Sequence, residues 1–122
     1  MARRDLTGAV DFAYLEAYAG HDQGVVDEVL ALFREQAALW ARLLAPSNPP
    51  DGWRDAVHTL KGSARGIGAG ALAQACAAAE EAGDGVREAT LSAVLHALDL
   101  VLADIAAYAH EQALRSLKTP PG

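Results

Sequence analysis

The first half of the chain carries apolar residues at alternating intervals of four and three. From about Asp22 onward they form one stripe: Val26, Leu30, Phe33, Ala37, Trp40 and Leu44. This spacing places all of them on one face of an α-helix that packs in a bundle. Asp22 is a suitable N-cap. The pattern therefore predicts a helix from about Asp22 to Leu44.

A shorter apolar face precedes this helix. It consists of Phe12, Leu15 and either Tyr18 or Ala19, and it ends at Gly20. Three or four apolar positions at helical spacing, followed by a glycine, are typical of a short helix that stops before the next N-cap. We expect a short leading helix here.

The strongest break in the pattern lies at residues 45–52, where three prolines and a glycine cannot continue a helix. Helical spacing then resumes, with Asp51 as a plausible N-cap and glycines at the far end. The apolar stripe of this segment is Trp53, Val57, Leu60, Ala64 and Ile67. It predicts a third helix from roughly Gly52 to Ile67.

Two further helices complete the pattern. The first, Ala69 to Ala82, is rich in alanine and has Leu72, Cys76 and Ala79 on one face. Small residues would let it approach its neighbours closely. The last stripe continues with weaker hydrophobicity to about Leu114; it comprises Leu91, Leu95, Leu98, Leu102 and Ile105.

Together these elements predict an all-α fold, an antiparallel four-helix bundle with a short additional N-terminal helix. A chain of 122 residues is sized for one core, so we expect a single domain over 1–122. The bundle would occupy about 9–115, and residues 116–122, with two prolines, would form a flexible tail.

Composition limits the cellular location and the classes of partner that we expect. The net charge of −6 argues against a nucleic-acid-binding surface, which needs a positive footprint. No uninterrupted apolar stretch approaches the ~20 residues that span a bilayer, and no secretion signal is visible. Cys76 is the only cysteine, so an intrachain disulfide is impossible. These features indicate a cytoplasmic protein with no nucleic acid or membrane partner.

The third predicted helix places its one histidine opposite the apolar stripe. At roughly 100° per residue, the stripe lies about 180° to 260° from His58. Within about 60° of His58 lie a glycine and three cations. These neighbours are Arg54, Lys61, Gly62 and Arg65. His58 is therefore predicted to be exposed on a basic face.

This arrangement suits phosphoryl chemistry. A neutral imidazole keeps a nucleophilic ring nitrogen at neutral pH, and neighbouring cations favour the neutral form. The same cations, Lys61 best placed and Arg65 next to it, would bind the oxygens of an attached phosphoryl group. Gly62 costs helix stability, so its position beside His58 predicts a need for open space there.

The segment HTLKGSARGIGAGALAQACAAAEEAG, within residues 56–83, resembles the signature of bacterial and fungal histidine phosphotransfer (HPt) domains. The residues at the family's spacings are His58, Lys61, Gly62, Ser63, Gly68, Leu72, Cys76, Glu80 and Gly83. The sequence departs from the commonest pattern at Ala64, where a second serine is usual, and at Arg65 and Gly66.

The resemblance implies that His58 is the phosphoacceptor, that Lys61 stabilises the phosphoryl group and that Gly62 admits a receiver domain. Ser63 and Glu80 are possible supporting residues, since the family often has a polar side chain at the position of Glu80. Without the motif, Ser63 is equally well explained by a bond to backbone or a neighbouring helix.

The implied function is that of a phosphorelay intermediate, which exchanges a phosphoryl group on His58 with the aspartate of response-regulator receiver domains. Its partners would be these receivers and a (hybrid) sensor histidine kinase, with Mg²⁺ supplied by the receiver. We expect no bound cofactor and no autonomous kinase activity. The alternative is a helical adaptor that binds receiver or kinase domains through the same face without being phosphorylated.

Other chemistry has weaker support. The four histidines provide no HxxxH or HExxH pair on one helical face, so no metal site is predicted. No GxxxxGK[ST] motif is present, and the glycine run after His58 follows a helix instead of a strand. Cys76 is expected to be a small core residue, because nothing nearby in the sequence lowers its pKa.

Overall fold

The computed structural model describes residues 6–45, 50–82 and 84–118, and within them the chain is helical with no strand. This confirms the predicted all-α fold. The elements are α1 (Phe12–Tyr18), α2 (Gln23–Leu43), α3 (Pro50–Gly66), α4 (Gly70–Glu81), a 3₁₀ turn (Asp84–Val86) and α5 (Arg87–Lys118).

The starts of the helices follow their capping residues. Asp22 is the N-cap of α2, and its carboxylate accepts a hydrogen bond from the backbone N–H of Val25 at 3.3 Å, as predicted. The expected cap at Asp51 is wrong, because α3 already begins at Pro50. Proline suits the first helical position, where its fixed φ is favourable and its missing N–H is not needed. The side chain of Asp51 lies outside the described residues.

The core stripes of α2 and α3 are those that the spacing predicts. All of the predicted members of both stripes are buried, from Val26 to Leu44 and from Trp53 to Ile67. α1 buries Phe12 and Leu15, and its next contact with the core comes from Ala19, since Tyr18 is 78% exposed. Of the two residues that the sequence pattern allowed at this position, Tyr18 and Ala19, it is therefore Ala19 that packs against the core.

The stripe of α5 differs from the prediction. Leu95 and Leu102 lie only partly buried at its edge. The buried members are Leu91, Val94, Leu98, Val101, Ile105 and Tyr108. α5 also continues to Lys118, beyond the expected end near Leu114. Residues 119–122 of the expected tail lie outside the described residues.

α5 is long and apolar enough, over Arg87–Leu117, to cross a membrane by length and composition alone, contrary to the expectation from the sequence. In this fold its buried stripe is part of the bundle core. Core helices of soluble proteins share this composition. Packing within the chain buries 33% of the most apolar window of α5, which is the stripe that faces the bundle core.

Tyr108 joins three helices. Its ring stacks on Phe12 with centroids 4.3 Å apart and an interplanar angle of 5°. Its hydroxyl donates to Glu16 Oε2 at 2.7 Å and accepts from Gln23 Nε2 at 3.1 Å. A buried tyrosine needs such partners for its hydroxyl. These contacts fix α1 and the start of α2 against α5.

The segment before α1 is held by a buried carboxylate. Asp104 accepts hydrogen bonds from the backbone N–H of Thr7 at 2.8 Å and of Ala9 at 2.9 Å, and from the Thr7 hydroxyl at 3.1 Å. Three donors satisfy the charge of a side chain that is fully buried in α5. Asp104 thus anchors the N-terminal segment to the bundle.

The turn between α3 and α4 is closed against the same segment. The N–H of Asp11 donates to the carbonyl of Gly68 at 2.9 Å. Gly68 has φ +79°, and a Cβ there would lie 3.0 Å from the Asp11 carbonyl oxygen, so only glycine fits. This turn lets the alanine-rich α4 pack on α3, which is its most extensive helix contact. The side chains of α4 are thereby brought beside His58.

Candidate functional site

His58 projects from α3 on the side opposite the core. Its side chain is 73% exposed, whereas Val57 and Leu60, its neighbours along the helix, are completely buried. The exposure predicted from the helical wheel is therefore correct. An imidazole held on a rigid helix, but open to solvent, is accessible to the active site of another protein.

Glu80, in the last turn of α4, contacts the ring of His58. Its Oε2 lies 3.2 Å from His58 Nδ1. Sequence reasoning gave Glu80 only a possible supporting role, whereas the structure brings it into direct contact. A signal for this was present in the spacing, because Glu80 follows the buried Leu72 and Cys76 at intervals of eight and four and so borders the face that packs on α3.

Lys61 contacts the other oxygen of the same carboxylate. Its Nζ lies 2.5 Å from Glu80 Oε1, and its side chain is only 18% exposed. Glu80 therefore joins the acceptor candidate to the cation one turn further along α3. We refer to His58, Lys61 and Glu80 as the His58 cluster.

These contacts keep Glu80 ionised. The hydrogen bond from Lys61 is the main cause that lowers the pKa of the Glu80 carboxyl, and the contact with His58 lowers it further. Partial burial acts in the opposite direction but is outweighed. At neutral pH the cluster thus contains an ionised carboxylate between Lys61 and the ring of His58.

The ionised carboxylate decides which ring nitrogen is free. A carboxylate only accepts hydrogen bonds, so Nδ1 must carry the hydrogen in its contact with Glu80. In the neutral ring, Nε2 then keeps its lone pair. The site therefore presents Nε2 of His58 as the nucleophile. Glu80 of α4 sets the tautomer of the ring.

The basic face predicted around His58 is only partly present. Lys61 is neutralised by Glu80, and the guanidinium carbon of Arg54 lies 4.7 Å from the ring centroid of Trp53, a cation–π contact. Arg65 is exposed in the last turn of α3, and no described contact brings it into the His58 cluster. The basic face was overestimated because a helical wheel of α3 alone does not include the negative charge of Glu80, which comes from α4.

Gly62 leaves an open surface beside His58. It is exposed, and a Cβ at this position would meet no atom within 4 Å. Packing inside the chain therefore does not require glycine here. What the missing side chain provides is free space next to the imidazole.

Ser63 faces α2 rather than the His58 cluster. It lines a groove of about 190 Å³ between α2 and α3. The side chains and glycine that complete this groove are Val29, Leu32, Phe33, Gln36, Trp40, Gly66 and Ile67. Ser63 is thus placed at an apolar surface next to the site, and we call it the α2–α3 groove.

Cys76 is a core residue, as predicted. Its side chain is buried, and burial together with the charge of Glu80 raises the pKa of the thiol to about 11, against an opposing effect of Lys61. The thiol is protonated at neutral pH. Among residues 6–45, 50–82 and 84–118, no three His, Cys, Asp or Glu side chains converge in a way that could hold a metal ion.

Comparison with known proteins gives two matches. Residues 25–111 match the family model of the Hpt domain. The crystal structure of the histidine phosphotransferase ShpA from Caulobacter crescentus is similar with a TM-score of 0.76 and 61% sequence identity, over 90% of this chain and 99% of ShpA. No curated protein matches the chain.

Proposed function

Since the chain belongs to the Hpt domain family of phosphorelay phosphocarriers, we propose that His58 accepts a phosphoryl group from the aspartate of one receiver domain and passes it to the aspartate of another. The observation that supports this most directly is the exposed His58 ring, whose Nδ1 is engaged by Glu80 while Nε2 keeps its lone pair.

The transfer is an in-line displacement. The lone pair of Nε2 forms the N–P bond as the P–O bond of the aspartyl phosphate breaks, and the aspartate leaves as a carboxylate. Positioning and charge stabilisation account for most of the catalysis of such reactions. The receiver is expected to supply Mg²⁺ and the acidic pocket, and we propose no kinase activity for the chain itself.

Lys61 is proposed to bind the transferred group. Its ammonium is held within the His58 cluster by Glu80, one helical turn from the ring. A phosphoryl group on His58 would offer it three strongly accepting oxygens, and charge-assisted hydrogen bonds to these are stronger than neutral ones. Arg65, exposed one turn beyond Lys61, is a second proposed cation for the same group.

The receiver is proposed to dock over Gly62 and the α2–α3 groove. Leu32 is 54% exposed at this groove, and the space above Gly62 is empty. A protein interface usually has an apolar core surrounded by a polar rim, so the α2–α3 groove would form the core of this interface and the His58 cluster part of its polar surround. We propose receivers and a sensor histidine kinase as the partners, in the cytoplasm, and neither nucleic acid nor membrane.

The test is transfer from a phosphorylated receiver, or from the cognate kinase, to the full chain in the presence of Mg²⁺ and a phosphate label. We expect acid-labile, alkali-stable label in the wild type and none in His58→Gln. The matched control is His96→Gln, because His96 is also exposed on a helix but lies outside the His58 cluster; it should be labelled like the wild type.

The adaptor alternative predicts a different result. If receivers bind the chain but no partner labels it, binding through this face would be its function and the phosphotransfer proposal would be wrong. Label that persists in His58→Gln would reject His58 as the acceptor and leave the family assignment intact.

A further inference from the structure

Glu80 contacts the ring nitrogen of His58 that does not react, and this contact affects the phosphorylated ring as well as the free one. When Nε2 gives its lone pair to phosphorus, the hydrogen on Nδ1 stays in place. The ring then becomes a phosphoimidazolium with one positive charge. A carboxylate oxygen 3.2 Å from Nδ1 stabilises such a cation through a charge-assisted hydrogen bond.

We infer, on the basis of the proposed phosphoacceptor function, that Glu80 is a positioning residue that keeps the phosphorylated ring of His58 protonated at Nδ1 and so makes the phosphohistidine a fast donor. In the donating step, an aspartate oxygen of the receiver forms the O–P bond, the N–P bond breaks and Nε2 recovers its electron pair. The proton stays on Nδ1 throughout.

The protonation state matters because it decides what leaves. A protonated ring departs as neutral imidazole, whereas a deprotonated ring would have to depart as an imidazolate anion, a much poorer leaving group. With Glu80 in contact, no proton has to be gained or lost in either direction of transfer. The carboxylate therefore acts on the rate of donation through the ring, without touching the phosphoryl group.

Other charges near the ring do not replace Glu80. From α4, Glu80 is the charged residue in described contact with His58. On α3 itself, the charged residues with described side chains within two helical turns of His58 are Arg54, Asp55, Lys61 and Arg65. α2 contributes Gln36 and apolar side chains to the neighbouring groove. Three of these four α3 residues are cations, which oppose ring protonation, so the effect depends on the carboxylate of Glu80.

The lowered pKa of Glu80 supports this role, because the carboxylate is charged at every pH near neutrality. Lys61 adds to it. In the unphosphorylated chain Lys61 occupies Oε1, and the attached phosphoryl group offers its ammonium a stronger partner. The carboxylate of Glu80 then interacts with the phosphoimidazolium ring alone.

The test uses Glu80→Gln, which keeps the size of the side chain and removes its charge. The full chain, labelled with ¹⁵N-histidine, is phosphorylated with phosphoramidate, and the ring nitrogens of phosphorylated His58 are followed by NMR against pH. Replacing a charged acceptor by a neutral one should lower the pKa of the phosphoimidazolium by about one unit, a tenfold shift in the protonation equilibrium. Equal pKa values in the two proteins would overturn the inference.

The kinetic consequence is measured in the same samples. At neutral pH, Glu80→Gln should donate to a receiver about tenfold more slowly and keep its phosphohistidine longer. Glu81→Gln is the matched control, since it removes the same charge from the adjacent, exposed position and should behave like the wild type. If Glu81→Gln slows donation equally, the effect is one of net charge and the inference fails.

The phosphoacceptor function of His58 and the role of Glu80 are tested by different outcomes. If neither phosphoramidate nor a phosphorylated receiver modifies His58, the proposed phosphoacceptor function is wrong. If His58 is modified but its ring titrates alike with Glu80 and with glutamine, only the role of Glu80 is wrong. The resonances of His21, His96 and His110 in each variant show whether the fold is intact.

Discussion

The carboxylate of Glu80, on α4, contacts two side chains of α3. Lys61 and His58 would be separate surface residues on α3 if Glu80 did not contact both, through Oε1 and Oε2 respectively. The pair of Lys61 with Glu80 is also better shielded from solvent than a typical surface ion pair, since Lys61 is mostly covered. Shielding strengthens the interaction but leaves it modest compared with core packing.

The Lys61–Glu80 pair should make stability depend on pH. Because the pKa of Glu80 is lower in the folded chain than in the unfolded one, the pair stabilises the fold above about pH 4.3, the usual value for glutamate. This contribution is lost as the pH falls through the folded-state pKa. We expect Lys61→Met to lower the free energy of unfolding by about 0.5–1 kcal/mol at pH 7.

Urea unfolding at a series of pH values measures this difference. Lys61→Met keeps the length of the apolar stem, and the gap between wild type and variant should narrow as the pH falls below the usual pKa of glutamate towards the lowered pKa of Glu80. A gap of the same size at pH 7 and at pH 3 would mean that the stem of Lys61, and not its charge, contributes the stability.

At the scale of the element, α3 combines two unrelated requirements. Its apolar face is buried from Trp53 to Ile67, while the opposite face carries His58 and the open surface at Gly62. A glycine in a helix interior is unfavourable relative to alanine. Packing within the chain does not require glycine at position 62, and the proposed access of a receiver to the ring would account for this cost.

Gly62→Ala should therefore change stability and transfer in opposite directions. The added methyl group meets no atom of the chain, so the free energy of unfolding should rise by about 0.5–1 kcal/mol. The rate of phosphoryl transfer to a receiver should fall, because the methyl group occupies the space beside His58. Thermal unfolding and transfer kinetics measure the two effects.

Gly52→Ala is the control on the same helix. Gly52 is also exposed with open space around its Cβ position, but it lies near the start of α3, away from His58. It should gain stability without slower transfer. If transfer by Gly62→Ala is as fast as in the wild type, the proposed reason for glycine at this position is wrong.

The sequence predicted where the helices lie along the chain better than it predicted which face of each helix is buried. In α2 and α3 each helical turn offers one clear set of apolar residues, so the buried face could be identified. In α5, adjacent apolar pairs such as Val94–Leu95 and Val101–Leu102 allow two stripes that differ by one position. Only packing against α4 and α2 selects Val94 and Val101.

The candidate site shows the same limit. The position and exposure of His58 follow from the period of a single helix. Its contact with Glu80 depends on how α4 is rotated against α3, which no pattern within either helix specifies. Asp104 is similar, because a lone aspartate in a helix is usually solvated, whereas here it is fully buried by donors almost a hundred residues away.

At the scale of the whole molecule, Asp104 connects the start of the chain to its last helix. Asp104→Ala would leave the N–H groups of Thr7 and Ala9 without their acceptor, and an unpaired buried donor costs about 1–3 kcal/mol. We expect the free energy of unfolding to fall by about 2–4 kcal/mol. Chemical denaturation measures this loss.

Asp99→Ala is the matched control, because Asp99 is an exposed aspartate on the same helix. Its effect on stability should stay within about 0.5 kcal/mol. Hydrogen exchange adds a local measurement, since the amides of Thr7 and Ala9 should lose protection in Asp104→Ala. Unchanged protection would show that the segment is held by other contacts.

Glu80 lies in the last turn of α4, one residue before the helix ends at Glu81. Helix ends open more often than helix centres, because their final carbonyl groups lack intrahelical partners. Fraying of this turn would withdraw the Glu80 carboxylate from His58 and let the imidazole exchange its tautomers. On the proposed mechanism, the reactivity of the ring would depend on how long this helix terminus stays wound, and a partner that presses on the terminus would change the chemistry of His58 without touching it.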